Sequence, residues 1–143
     1  MAGNEAETDL RVLDTWAVMA WLRDEPAAER MDRLWNQARK GKVRLVMSAV
    51  NLGEVFYLTA RWRGLPEAEV VLEHMPELPL EIRPAPNVLI WGAARIKAVH
   101  RLSYADAFAV ATAIRERAPL VTGEPVMRAL ARRGVLSLDW VRG

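Results

Sequence analysis

Apolar and polar residues follow two periods along this chain, and the two alternate. Short apolar runs of strand length end at Leu13 and recur at "KVRLVM" (42–47), "LPLEIRP" (78–84), "PLVT" (119–122) and "VLSLDW" (135–140). Longer segments with helical signatures lie between them. One opens at Thr15. "PAAERMDRLWNQARKG" has Pro26 near its start and Gly41 past its end. Ser48 can cap "AVNLGEVFYLTARWR", which Gly64 closes. Further helices are predicted for "LPEAEVVLEHM" from Pro66, for "NVLIWGAARIKAVHRL" (87–102), for "YADAFAVATAIRER" after Ser103, and for "EPVMRALARRG". Strands alternating with helices predict an α/β fold, a parallel sheet covered by helices on both faces. No repeat or low-complexity linker divides the chain, so residues 10–143 are expected to form one domain. The opening "MAGNEAETDL" is polar and acidic. Residues 1–9 are expected to be a disordered tail or a leftover of expression, and to be neither a signal nor a transit peptide.

In open parallel sheets, ligands bind beyond the carboxyl ends of the strands. That rule selects four acids. Asp14 follows the first strand, between the apolar runs "VL" and "WAVMAWL". Burying a lone carboxylate is costly unless something pairs with it. Asp14 can cap the helix that follows, or it can bind a cation. Glu54 sits in a helix whose core stripe is expected to be Leu52, Val55, Phe56 and Ala60. The other face, with Val50, Tyr57 and Leu58, carries Glu54, and Arg61 at i+7 can approach it. Asp106 completes a capping-box pattern with Ser103. Its helix is uncharged from Ala107 to Ile114 and must be buried on nearly all sides. Glu124 follows the strand "PLVT" and would also suit the positive end of a helix dipole. Glu116, between two arginines, reads as a solvated helix-end residue, and Asp139 has no obvious partner.

Charge sharpens this selection. The chain carries a net +2. Residues 1–81 hold 10 basic and 14 acidic residues, and residues 82–143 hold 10 basic and 4 acidic ones. A basic half can attract a polyanion, although an ordinary solvated surface looks the same. Asp106 and Glu124 are two of the few acids left in that half. Carboxylates gathered in a cleft repel one another unless a hard cation joins them. Mg²⁺ and Mn²⁺ prefer such oxygen ligands, and a pair of ions can activate water for phosphodiester hydrolysis. The absence of cysteine excludes thiol catalysis, disulfides and Cys-ligated zinc. His74 and His100 lack zinc spacing and read as helix-end residues. No P-loop, G-x-G-x-x-G or G-x-S-x-G occurs. No apolar run approaches the roughly 18 residues of a membrane span, so a cytoplasmic protein is expected. Trp16 and Trp62 can stack on bases or pack in a core or interface.

These residues resemble the PIN-domain nucleases, most closely the VapC-type toxins of toxin–antitoxin pairs. The match runs from about Arg11 to Trp140. "VLDTWAVMAWL" looks like the family's opening strand, acid and helix, "NLGEV" like its second acidic motif, and "SYADAFAVATA" like its third. "LVTGEPVMRALARRGV" looks like the closing motif, with Thr122 at the usual Thr and Glu124 where Asp or Asn is commoner. The resemblance implies a three-layer α/β/α sandwich with a five-stranded parallel sheet. It implies a Mg²⁺- or Mn²⁺-dependent ribonuclease that uses water as nucleophile. Asp14, Glu54 and Asp106 would be the main metal ligands and catalytic residues, with Glu124 and Thr122 supporting. RNA, a cognate antitoxin and a second copy in a homodimer would be the partners. Trp16 is a departure, since the family often has Ser there.

A haloacid-dehalogenase-type phosphatase would need a second Asp where Trp16 stands, and a receiver domain would need paired acids after the first strand. A non-enzymatic binding module of the same fold would keep the acids without cleavage. An RNA-processing nuclease would act outside any toxin pair.

Overall fold

The computed structural model describes residues 9–143. The tail expected over residues 1–9 lies outside the described residues except for Asp9, which opens the first strand. The elements run β1 (Asp9–Leu13), α1 (Thr15–Leu22), α2 (Ala28–Arg39), β2 (Val43–Ser48), α3 (Ala49–Arg63), α4 (Leu65–His74), β3 (Leu80–Arg83), α5 (Asn87–Val99), α6 (Tyr104–Glu116), β4 (Leu120–Thr122), α7 (Pro125–Arg132) and β5 (Leu138–Trp140). All five strands are parallel, in the order β3-β2-β1-β4-β5. The expected α/β sandwich with a five-stranded parallel sheet is therefore present.

Period two divides the core between the two sides of the sheet. Leu13, Leu45, Met47 and Val121 pack in one cluster with Ala17, Val18, Met31, Leu34 and Trp35 of α1 and α2. Their neighbours Val12, Val46 and Leu120 pack in a second cluster with Ala109 and Val110 of α6 and Met127 and Leu130 of α7. Leu89 and Ala93 of α5 close a third cluster against Ala107, Phe108 and Ala111 of α6. This explains why α6 carries no charge in its body. It is buried continuously from Ala107 to Ala113, with the sheet on one side and α5 on the other. Each fully buried Leu or Met contributes roughly 1.5–3 kcal/mol relative to exposure.

Strand order positions the functional end. From β1 the chain moves outward to β2 and β3, then returns to lay β4 and β5 on the other side of β1. The order reverses between β1 and β4, so a crevice opens at their carboxyl ends. Asp14 immediately follows β1, and Gly123 and Glu124 immediately follow β4.

Three details depart from the sequence reading. The helix expected to reach residue 102 stops at Val99, and α4 gives way to a single 3₁₀ turn at Met75–Glu77. On α3 the buried stripe is Asn51, Val55 and Thr59, whereas Leu52, Phe56 and Ala60 are half-buried and Tyr57 is exposed. The polar members can go inside because each finds a partner there. Thr59 Oγ1 donates to Met19 Sδ at 3.7 Å, and Asn51 reaches two other helices. Glu116 and Asp139 also have partners in the fold. Arg83 Nε donates to Glu116 at 2.9 Å, and Arg11 and Arg30 both grip Asp139.

Candidate active site

Asp14 is 1% exposed and sits at the N-cap of α1. Its Oδ1 accepts from the Ala17 amide at 2.9 Å, and its Oδ2 accepts from the Thr122 hydroxyl at 2.5 Å. Thr122 Oγ1 accepts in turn from the Glu124 amide at 3.0 Å. The capping role is therefore real, and Thr122 ties Asp14 to the strand on the other side of the crevice. These donors do not offset the loss of water. Burial first, and then the charges of Asp106 and Glu124, push the Asp14 carboxyl up to about 7 against the Thr122 and Ala17 hydrogen bonds.

Glu54, Asp106 and Glu124 line a cleft of about 270 Å³, together with Thr15, Trp16 and Ser103. Glu54 arrives from α3, Asp106 from α6 and Glu124 from the turn between β4 and α7. Ser103 Oγ caps α6 by accepting from the Asp106 amide at 3.0 Å, which leaves Asp106 in the first turn facing the cleft. Its carboxyl is raised to about 6, first by burial and then by Glu124 and Glu54. Glu124 is the N-cap of α7 by backbone, but its side chain makes no capping bond there. Glu54 is held by the Tyr57 hydroxyl, which donates to it at 3.1 Å. Arg61 lies over the Tyr57 ring at 4.9 Å, so it steadies that donor and does not pair with Glu54.

The four acids sense one another, yet they are layered. Asp14 lies beneath the cleft and does not line it, while the other three stand at its wall. Among the described residues, no three His, Cys, Asp or Glu side chains stand close enough together to hold a metal ion as they are placed.

The sequence reading missed two features. Asn51 is buried, and its Nδ2 donates to Thr15 Oγ1 at 3.3 Å and to the Ala105 carbonyl at 2.9 Å. Thr15 Oγ1 returns a bond to the Asn51 carbonyl at 3.3 Å. One side chain thus joins α1, α3 and α6, the helices that present Asp14, Glu54 and Asp106. The only signal in the sequence was its place three residues before Glu54. The second feature is the seat of Trp16. A Cβ on Gly123 would lie only 2.3–2.6 Å from the Trp16 ring, so the glycine is needed for close approach. Arg142 lies over the same ring at 5.8 Å and donates to the Gly123 carbonyl at 3.3 Å. The bulky residue at a position where Ser is common is accommodated by what faces it.

Trp62 is 41% exposed between Arg23 and Arg63, at 5.5 and 4.4 Å. His74 ends α4 and contacts Glu77 at 2.9 Å, and His100 follows the last residue of α5. No helix among the described residues is long and apolar enough to cross a membrane.

Comparison with known proteins agrees with this architecture. VapBC2 from Rickettsia felis, solved with a DNA fragment from its promoter, superposes with a TM-score of 0.70 at 18% identity, over 93% of this chain and 99% of that one. VapC20 from Mycobacterium tuberculosis, a toxin that cleaves the sarcin–ricin loop, superposes with a TM-score of 0.66 at 17% identity, over 83% and 94%. FitAcB from Neisseria gonorrhoeae gives 0.66 at 18%, over 90% and 96%. No curated protein matches the chain. The PIN domain model matches residues 11–133, a span that holds all four acids, Thr122 and Asn51. The chain belongs to the PIN domain family.

Proposed function

We propose that this protein is a divalent-metal-dependent endoribonuclease, the toxin of a toxin–antitoxin pair. The observation that carries the reading is the convergence of Asp14, Glu54, Asp106 and Glu124 at the switch point of the sheet, where two of the carboxyls are raised by burial and by their neighbours. Such a site binds protons for want of a better cation. The donor set suits a hard ion, because every candidate ligand is oxygen.

Asp106, Glu54 and Glu124 would hold Mg²⁺ or Mn²⁺ from the cleft wall, with Asp14 below them. When bound, the ion supplies Lewis acidity and a lowered water pKa for phosphodiester hydrolysis. Mg²⁺ keeps several of its waters when protein-bound, so some of these acids would reach it through water. Thr122 and the Ala17 amide orient Asp14, and Asn51 keeps the three presenting helices in register. The toxin–antitoxin complex from Klebsiella pneumoniae, which superposes on this chain, supports a protein partner, and a homodimer in the cytoplasm completes the proposal.

The separation of the acids favours one rival, a binding module of this fold that holds RNA or protein without cleaving it. One experiment decides. Purified protein is incubated with structured RNAs, a sarcin–ricin stem-loop among them, in Mg²⁺, Mn²⁺ or EDTA, beside Asp14→Asn and Asp106→Asn. Metal-dependent cleavage lost in both folded variants supports the enzyme. Cleavage that survives in either variant, or in EDTA, rejects the assigned site. RNA binding without cleavage under any condition supports the binding module.

A further inference from the structure

Next to the cleft, through Arg142 stacked on Trp16, lies a second hollow of about 410 Å³, lined by Pro125, Arg128, Arg132, Trp140 and Arg142. Three guanidinium groups surround it. Among the described residues, none of the three has a carboxylate within ion-pair distance. The acid closest in sequence, Asp139, is already held by Arg11 and Arg30. Two of the three cations are instead ordered by aromatic rings. Arg128 lies over Trp140 at 4.0 Å, and Arg142 over Trp16 at 5.8 Å. Stacking fixes the direction of a guanidinium without neutralising it, so the Arg128 fork remains available to an anion, while Arg142 gives one N–H to the Gly123 carbonyl.

The hollow also adjoins the cleft. Glu124 lines the cleft and the next residue, Pro125, lines the hollow. Trp16 lines the cleft and Arg142, stacked on it, lines the hollow. An acidic cleft repels a polyanion, and preset positive charge beside it offsets that repulsion. A ligand with negative charges repeated along its length would fill both. We infer that the arginine hollow holds backbone phosphates of the RNA strand whose scissile bond lies in the cleft, with Arg128 and Arg132 as the main contacts. This inference rests on the ribonuclease reading.

The test measures binding of a fluorescein-labelled 12-nucleotide single-stranded RNA by anisotropy in EDTA across a salt series, and its cleavage in Mg²⁺. For Arg128→Gln/Arg132→Gln, the expected result is about tenfold weaker binding at low salt and a slope of log K against log salt reduced by about 1 to 2. Cleavage at saturating enzyme should remain. Arg132→Gln alone, which touches no ring, guards against a folding defect and should show about half the change in slope. Lys40→Gln/Lys42→Gln removes equal charge from the opposite end of the sheet and should leave binding unchanged. Unchanged affinity in the arginine variant, or equal loss in the lysine control, overturns the inference while wild-type cleavage keeps the enzyme. A wild-type protein that neither binds nor cleaves RNA overturns both.

Discussion

Asp14 carries opposed duties, and pH separates them. Its carboxyl is raised to about 7 in the fold, above its ordinary value of 3.8. The folded state therefore binds more protons than the unfolded chain between those values, and metal-free stability must fall as pH rises across them. The slope contributed is at most about 1.4 kcal/mol per pH unit. Urea unfolding in EDTA from pH 4 to 8 should show this decline, and Asp14→Asn should flatten it. At pH 8 the same variant should match or exceed wild-type stability, because a buried charge is gone and an acceptor for the Ala17 amide remains. A loss of more than about 2 kcal/mol would make the cap the dominant role. Asn51 offers the contrast. Asn51→Ala removes buried hydrogen bonds among three helices and should cost about 1–3 kcal/mol at any pH. Nuclease activity per folded molecule should fall as well, which a circular-dichroism melt beside a cleavage assay can distinguish from simple unfolding.

Helix α1 and the β4–α7 turn meet through Trp16 and Gly123, and their fit makes a coupled pair. Gly123→Ala places a methyl group within 2.3 Å of the indole. The ring must shift, at a cost of about 1–3 kcal/mol. Trp16→Ser should remove that penalty, so the double variant should be more stable than the sum of the single changes allows, by at least 1 kcal/mol. Additive effects would show that the ring moves aside freely. Local signals of this kind divide sharply in legibility. The caps Ser48 and Ser103 and the breaker Gly64 were readable, because each acts within a few residues of itself. Gly64 indeed takes a φ of +96° between α3 and α4. The buried face of α3 was misread, because Asn51 and Thr59 go inside through bonds to other helices that no periodicity records. Gly123 could not be understood from sequence at all. Its reason stands 107 positions away in Trp16.

The architecture as a whole followed from the alternation of strands and helices, and the switch-point rule then selected four acids that the fold brings to one crevice. What stayed hidden was depth: Asp14 sits beneath the cleft that the other three line. A cation entering this arrangement must displace protons from Asp14 and Asp106. Thermal melts should therefore show a Mg²⁺-dependent rise in Tm that grows with concentration and is larger at pH 8 than at pH 5.5. Equal shifts at both pH values would place the ion elsewhere. The parallel topology carries one more consequence, for the moment at which activity begins. The Asp14–Thr122 bond spans 108 positions, and β1 waits for β4 to complete its pairing. A chain emerging from the ribosome exposes Asp14 early and Thr122 near the end, with the crevice between them unformed until then. For an enzyme with the activity proposed above, that order predicts no cleavage by a nascent chain still lacking β4, which a ribosome-stalled chain ending before Leu120 would test.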